Sequence, residues 1–237
     1  MLQTRGNKLT WLGHATFRIA TPSGKVVLID PWVDTNPMTP PALKKFDRLD
    51  VMLITHGHFD HIADAVPLAK RHKPHVVGIY ETCAWLESKG VTKAAAMNKG
   101  GTQTVDEIEV TMTHAVHSCG ILDGEKIIYG GEACGYIVRL PGGFSIYHAG
   151  DTAVFSDMKL IAQLYSPDLA MLPIGDHFTM GPREAALAIR LLGVSHVVPM
   201  HFGTFPPLVG RPEQLRGLTQ DISGLEIHAL KPGESIG

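Results

Sequence analysis

The chain has 237 residues, and its 21 lysines and arginines against 23 aspartates and glutamates give a formal net charge of -2. This balance excludes a nucleic-acid-binding protein that relies on a broad basic face, and a hydrophobic content of 44% excludes a disordered chain. No run of about 18 apolar residues predicts a transmembrane helix, and the first residues lack the apolar core of a signal peptide. Three cysteines without a CxxC spacing are typical of a reduced protein, so we expect a cytoplasmic location and one domain over residues 1–237.

Short apolar runs predict the strands. The first three lie at 8–12, 16–21 and 26–29, and the turn PSGK at 22–25 joins the last two as a hairpin. The segment PWVDTNPMTPP at 31–41 predicts a loop, because proline interrupts both helices and sheets. Further strands are predicted at 51–54, 76–79, 108–113, 135–140, 144–147, 169–172, 196–200 and 225–230.

The stretches between these runs predict helices. The most clearly bounded helix spans 182–192, because Pro182 stands where a helix begins and Gly193 where one ends. Several strands are apolar without polar alternation, which is typical of strands covered on both faces. The alternation of strands and helices predicts an α/β layered fold with helices outside a sheet core. The other helices are predicted at 65–71, 83–88, 155–164 and 212–222.

The strongest local signal is the segment THGHFDH at 55–61, which directly follows a predicted strand. His56 and His58 are two residues apart on an extended segment, so their rings point the same way and can bind one ion. Asp60 and His61 follow where the chain turns, so they can face a second ion. Imidazole and carboxylate suit Zn²⁺, Mn²⁺, Fe or Ni²⁺. Chance would produce this pattern about 0.002 times in such a chain, so it predicts a metal site.

The motif resembles that of metallo-β-lactamase-fold hydrolases. The similarity extends from Leu9 to Gly233 through the segments WLGHATF, LITHGHFDH, HAVHS, YHAGDT, LPIGDHFTMGP and VPMHFGTFP. Within this family the chain is most similar to a branch of uncharacterised metal-dependent hydrolases related to L-ascorbate-6-phosphate lactonase. The resemblance implies a four-layer αβ/βα sandwich with two divalent ions at one edge of the two sheets. Zn²⁺ is the favoured metal, and Mn²⁺ or Ni²⁺ are the alternatives.

Residue by residue, the resemblance implies seven metal ligands. His117 is favoured over His114, three residues earlier, because it lies at the end of a strand, where ligands gather. Functional groups at the carboxyl ends of strands are what open α/β sheets generally provide. The seven are three ligands of the first ion, three of the second and one bridging carboxylate: His56, His58 and His117; Asp60, His61 and His201; and Asp151.

Three residues are candidates for acting on the substrate. Asp60 would bind the second ion and accept a hydrogen bond from the nucleophile. His14 matches a position where the branch tends to have a histidine near the metals, which implies a role towards the substrate or a ligand. His177 stands where relatives often have asparagine, and either side chain donates hydrogen bonds to a developing oxyanion. Of the remaining polar residues, His148 is expected to orient a ligand and Asp30 to order the adjacent loop.

The resemblance therefore implies a metal-dependent hydrolase. A hydroxide shared by two ions would attack an ester, lactone or phosphodiester bond of a small-molecule substrate. A phosphorylated substrate needs a cationic anchor, for which Arg139, Arg183 and Lys159 are candidates. No nucleic-acid or membrane partner is expected, and the branch implies a homo-oligomer. Two alternatives stay open: a di-iron redox module with a flavin partner, and a metal-binding protein without turnover.

Overall fold

The computed structural model describes residues 2–237. The strands of this part of the chain are β1 (Lys8–Gly13), β2 (Thr16–Ala20), β3 (Val26–Ile29), β4 (Val51–Leu53), β5 (His75–Ile79), β6 (Ala94–Met97), β7 (Thr102–Val105), β8 (Ile108–His114), β9 (Gly120–Asp123), β10 (Lys126–Tyr129), β11 (Cys134–Arg139), β12 (Ser145–His148), β13 (Leu169–Pro173), β14 (His196–Met200), β15 (Glu226–Ile227) and β16 (Ser235–Ile236). The α-helices are α1 (Phe59–Ile62), α2 (Ala65–His72), α3 (Tyr80–Ser88), α4 (Met158–Tyr165), α5 (Pro182–Leu192) and α6 (Pro212–Leu218).

Two seven-stranded mixed sheets lie at the centre. The first has the strand order β16-β1-β2-β3-β4-β5-β6, antiparallel as far as β3 and parallel from β3 to β6. The second has the order β15-β14-β13-β12-β11-β8-β7, parallel from β15 to β12 and antiparallel beyond. The parallel strands of both sheets thus have their carboxyl ends available for a site at a sheet edge. Strands β9 and β10 form a separate hairpin.

The core is divided into layers by the alternation of side chains along the strands. Trp11 and Phe17 of the first sheet share one buried cluster with Tyr136 and Ile146 of the second, so the two sheets pack face to face. The outer face of the first sheet packs on α1, α2 and α3. The outer face of the second packs on α4, α5 and α6. The result is the predicted four-layer αβ/βα sandwich.

Most predicted elements are present. The first ten predicted strands occur with each end within one residue, and the helix 182–192 has the predicted bounds. Gly193, with φ 60°, ends that helix in the left-handed conformation that glycine favours.

Within residues 2–237, no helix combines the length and the apolar character that crossing a bilayer requires.

Some predicted bounds are wrong. The helix predicted from 155 begins at Met158. Phe155 lies in a turn before the helix, where its carbonyl accepts a hydrogen bond from the N–H of Met158. The helix predicted to 222 ends at Leu218, since Thr219 has φ -125° and leaves the helical region. The strand predicted at 225–230 shrinks to Glu226–Ile227. Strands β6, β7, β9, β10 and β16 and the short helix α1 were not predicted.

Candidate functional site

The predicted ligands converge at one edge of the two sheets. His56 follows β4 and His117 follows β8, while Asp151 and His201 follow β12 and β14. Strand β4 is buried and apolar, so the chain becomes polar as soon as it leaves the core. The amide of His201 donates a 3.0 Å hydrogen bond to the carbonyl of His14 after β1, which joins the two sheets at this edge.

Three histidines form the first group. The Nε2 atom of His56 lies 3.0 Å from Nδ1 of His58, and Nε2 of His117 lies 3.3 Å from the same atom. Two nitrogens bound to one tetrahedral ion at about 2.0–2.1 Å are about 3.3–3.4 Å apart. Burial lowers the pKa of all three imidazoles, so they are neutral at pH 7, as metal ligands must be.

The second group is built around Asp151. Its Oδ2 atom lies 3.0 Å from Nε2 of His201 and 3.3 Å from Nε2 of His61. The same oxygen lies 3.8 Å from Nε2 of His56 and 3.7 Å from Nε2 of His117. One carboxylate oxygen therefore lies within 4 Å of nitrogens from both groups.

The residues present fit metal ions. Three buried atoms of these residues make no hydrogen bond of suitable geometry: Nε2 of His61, Nε2 of His201 and Oδ1 of Asp151. Buried polar atoms without partners are costly, and a bound cation would satisfy all three. Burial acts to lower the pKa of His61, but the carboxylates of Asp151 and Asp30 raise it well above its ordinary value. These carboxylates supply the negative charge that a divalent cation requires.

Asp30 is a buried residue that contacts the motif at 55–61. Its buried carboxylate accepts hydrogen bonds of 2.8 Å from both the amide and the hydroxyl of Thr55, and one of 2.8 Å from Nδ1 of His61. The interaction with His61 leaves Nε2 of that ring to face the site. Beyond the loop-ordering role predicted from sequence, Asp30 thus also fixes the ring of His61, one of the predicted ligands.

His148 supports the turn that carries Asp151. Its Nδ1 accepts a 3.2 Å hydrogen bond from the amide of Gly150, and its Nε2 donates one of 3.2 Å to the carbonyl of Ala15. Gly150 has φ 62°, and a Cβ there would overlap the carbonyl oxygen of Cys134, so the turn requires glycine.

Comparison with known proteins shows the family. Residues 25–202 match the β-lactamase superfamily domain. The chain belongs to the β-lactamase superfamily. It is 62% identical over 231 residues to a UPF0173 metal-dependent hydrolase of Solibacter usitatus, covering 97% of this chain and 99% of that protein. A second UPF0173 metal-dependent hydrolase, from Koribacter versatilis, is 57% identical over 234 residues and 99% of each chain.

A solved structure shares the whole architecture. Igni18, a metallo hydrolase from the hyperthermophilic archaeon Ignicoccus hospitalis, is 34% identical and matches with a TM-score of 0.85 over 97% of each chain. The predicted metallo-β-lactamase fold is therefore confirmed. The chain is a metal-dependent hydrolase of this superfamily, with histidine and aspartate clusters that could hold metals.

His14 clusters with Asp60, His61 and His201. Its Nε2 is 3.0 Å from Oδ2 of Asp60, and its Nδ1 is 2.9 Å from the hydroxyl of Thr204. Burial, with the neighbouring His201, lowers the pKa of His14 to about 4. Burial acts to raise the pKa of Asp60, but the hydrogen bond from His14 and the charge of His61 lower it to about 2. Asp60 is therefore ionised at neutral pH.

Several other predicted residues lie outside the groups. His177 is exposed, and its ring centroid lies 4.4 Å from that of Phe178, so its oxyanion role stays a prediction. His114, the rival of His117, is exposed and accepts a 3.1 Å hydrogen bond from Nζ of Lys99. The ligand group includes His117 and not His114.

The ligands open onto a cavity of about 780 Å³, which we call the site cavity. Its floor is formed by five of the predicted ligands: His58, Asp60, His117, Asp151 and His201. Ser118 and Gly120 also line it, and its walls are formed by Phe59, Leu122, Ile127, Phe178 and Phe205.

Sequence reasoning missed the cavity walls, although one signal was present. Asp123, the last residue of β9, is followed by Gly124, which has φ 64° and begins the turn to β10. An Asp-Gly pair in this setting is a strong hairpin signal. The sequence contains no comparable signal for the roles of Asp30 and His14. These two residues have φ 50° and 56°, and they act through partners that are distant in sequence.

Proposed function

We propose that this chain binds two divalent ions, with Zn²⁺ as the favoured metal and Mn²⁺ or Ni²⁺ as alternatives, and hydrolyses an ester, lactone or phosphodiester bond of a small molecule. The observation that carries the proposal is the position of Asp151, whose Oδ2 atom lies within 4 Å of histidine nitrogens from both groups. A mononuclear site would not need a carboxylate at the boundary of two nitrogen groups.

The proposal divides the predicted ligands between the two ions. The buried Asp151 would bridge them, and the ions when bound would supply a nucleophile from water at neutral pH and offset charge on oxygen. The remaining ligands would form two sets: His56, His58 and His117 for the first ion, and, for the second, Asp60, His61 and His201 from the cluster that also contains His14.

Asp60 and His14 act together in this proposal. The ionised carboxylate of Asp60 lines the site cavity, so it is available to accept a hydrogen bond from the attacking water. The ring of His14 is fully buried behind it and holds its Oδ2 atom. His14 is therefore a positioning residue for Asp60 and does not reach the substrate. The oxyanion role of His177, which is exposed, stays a prediction. The homo-oligomer and the cytoplasmic location also stay predictions.

Elemental analysis tests the ion count. We expect protein purified without chelator to contain about two Zn, Mn or Ni ions per chain, because two ligand sets share one carboxylate. Chelation should abolish hydrolysis of an ester, lactone and phosphodiester panel and lower the melting temperature, since ions that bind only the folded state stabilise it. Adding the metal back should restore both.

Three outcomes separate the alternatives. Iron as the main metal, with no hydrolysis of the panel, would support the di-iron redox module. Two ions without turnover would support a metal-binding protein. A protein that stays free of metal after reconstitution would contradict the ligand assignment.

The role of His14 is tested by its replacement. We expect His14→Ala to weaken binding of the second ion by about 10–100-fold, as loss of a partner that orients a ligand usually does. His14→Gln, which keeps a hydrogen-bond donor, should lose less. The measurement is competition with a chromophoric chelator, with kcat/KM recorded on the same preparations. The matched control is His114→Ala at the exposed end of β8, which should keep both ions; loss of an ion there, or unchanged affinity in His14→Ala, would contradict the assignments.

A further inference from the structure

The walls of the site cavity differ in character from its floor. Among residues 2–237, no lysine or arginine lines this cavity. The three predicted phosphate anchors lie elsewhere. Nε of Arg139 lies 3.7 Å from Oε1 of Glu109, on the antiparallel side of the second sheet. Arg183 and Lys159 lie on helices outside that sheet. An anionic substrate in this cavity would thus have no lysine or arginine to pair with and would depend on metal ions held by the predicted ligands.

The β9–β10 hairpin forms one wall and is held in place at its base. Ile121 is buried, and a Cβ on Gly57 would overlap its side chain, so the glycine between His56 and His58 admits the hairpin. The hydroxyl of Thr82 donates a 2.7 Å hydrogen bond to the carbonyl of Gly130 at the end of β10. These contacts place the hairpin directly over the ligand motif.

The hairpin is also anchored at its turn. The carboxylate of Asp123 accepts a 3.1 Å hydrogen bond from Nε1 of Trp85 on α3 and forms a 2.7 Å ion pair with Lys89, the residue directly after that helix. The wall is therefore attached at both ends to the first sheet and its helix, which makes it a defined surface for a ligand.

The face of the hairpin towards the site is apolar and exposed. Leu122 and Ile127 pair directly across the two strands, so their side chains lie on the same face. Both line the site cavity, and yet they are 61% and 80% exposed. Phe59 and Phe178 on the other walls are 54% and 56% exposed. Large apolar groups clustered and exposed beside polar ligands are typical of a ligand-binding surface.

We propose that the substrate is an uncharged carboxylic ester or lactone with an apolar chain, which packs against Leu122 and Ile127 while its carbonyl lies at the ligands. The inference rests on the proposed hydrolytic function and names its substrate class. Water supplies hydroxyl to the carbonyl carbon and a proton to the departing alkoxide as the C–O bond breaks, so no oxidant or reductant is required. An apolar chain covers the exposed walls, whereas a phosphodiester would place its charge among them.

The first test is a chain-length series with the metal-loaded enzyme. We expect kcat/KM for p-nitrophenyl octanoate to exceed that for p-nitrophenyl acetate by at least about tenfold, because each fully buried methylene contributes up to about fourfold. Bis(p-nitrophenyl) phosphate should be the poorer substrate. A flat or falling series, or preference for the phosphodiester, would overturn the proposal.

Hairpin variants locate the effect. Ile127→Lys and Leu122→Ser should lower the ratio of kcat/KM for the octanoate to kcat/KM for the acetate by about tenfold. Tyr129→Ser is the matched control, because Tyr129 is 69% exposed on the same hairpin face but does not line the cavity. Equal losses on both esters, or an equal loss in Tyr129→Ser, would contradict the assignment of the wall.

A binding measurement separates this inference from the proposed hydrolysis. The neutral fluorescent probe N-phenyl-1-naphthylamine should bind the wild-type protein and bind Ile127→Lys at least about fivefold more weakly. If no ester is hydrolysed but the probe binds in this way, the apolar site stands and the hydrolytic proposal fails. If the probe does not bind, or binds both proteins equally, the apolar site itself is overturned.

Discussion

Asp151→Ala is expected to lower kcat/KM by at least about a thousandfold and to reduce the metal content from about two ions per chain to one or fewer. The Oδ2 atom of Asp151 lies 3.0–3.8 Å from nitrogens of four histidines, so its removal leaves both ligand groups without their shared carboxylate. Electrostatic stabilisation by bound ions is worth several kcal/mol in such reactions, and about 4 kcal/mol corresponds to the expected loss.

Steady-state kinetics and elemental analysis of the same preparations check this result. Asp157→Ala is the matched control, because Asp157 is exposed six residues further on and contacts neither group. Circular dichroism should show that Asp151→Ala remains folded, since the loss is assigned to the ions and not to the core. Full activity with two ions still bound would remove the bridging assignment.

Asp30→Ala is expected to lower the free energy of unfolding by about 3–5 kcal/mol. The carboxylate of Asp30 is fully buried and accepts three hydrogen bonds, two from Thr55 and one from His61. Removing it leaves buried donors unpaired, which costs about 1–3 kcal/mol for each neutral group and more for a charged one. Metal affinity should also fall by about 10–100-fold, because His61 loses the partner that orients its ring.

Urea denaturation and chelator competition measure the two effects of Asp30→Ala separately. Asp30→Asn should give a smaller loss of both, since one amide oxygen still accepts a hydrogen bond. Asp34→Ala, at an exposed position on the same loop, serves as the control and should change neither quantity. An unfolding midpoint in Asp30→Ala equal to that of the wild-type protein would show that the buried carboxylate is dispensable.

Elements with local signals were predictable from the sequence. The strand 26–29 is a short apolar run after a Pro-Ser-Gly-Lys turn, and the helix 182–192 has a proline at its start and a glycine beyond its end. In each case the signal and the element occupy the same residues. The short runs Ala94–Met97 and Thr102–Val105 lack such a signal, and they are strands because β5 and β8 pair with them.

The predicted ligand set could be read from the sequence, because each of these residues has a local marker: the HGHFDH motif after β4, and one residue within three positions after the end of each of β8, β12 and β14. The tertiary structure alone decided how Asp30 reaches His61, how His14 reaches Asp60 and how Ile121 seats the hairpin over Gly57. These contacts join residues 31, 46 and 64 positions apart in the chain. Such pairings depend on how the sheets pack, which no local pattern of residues encodes.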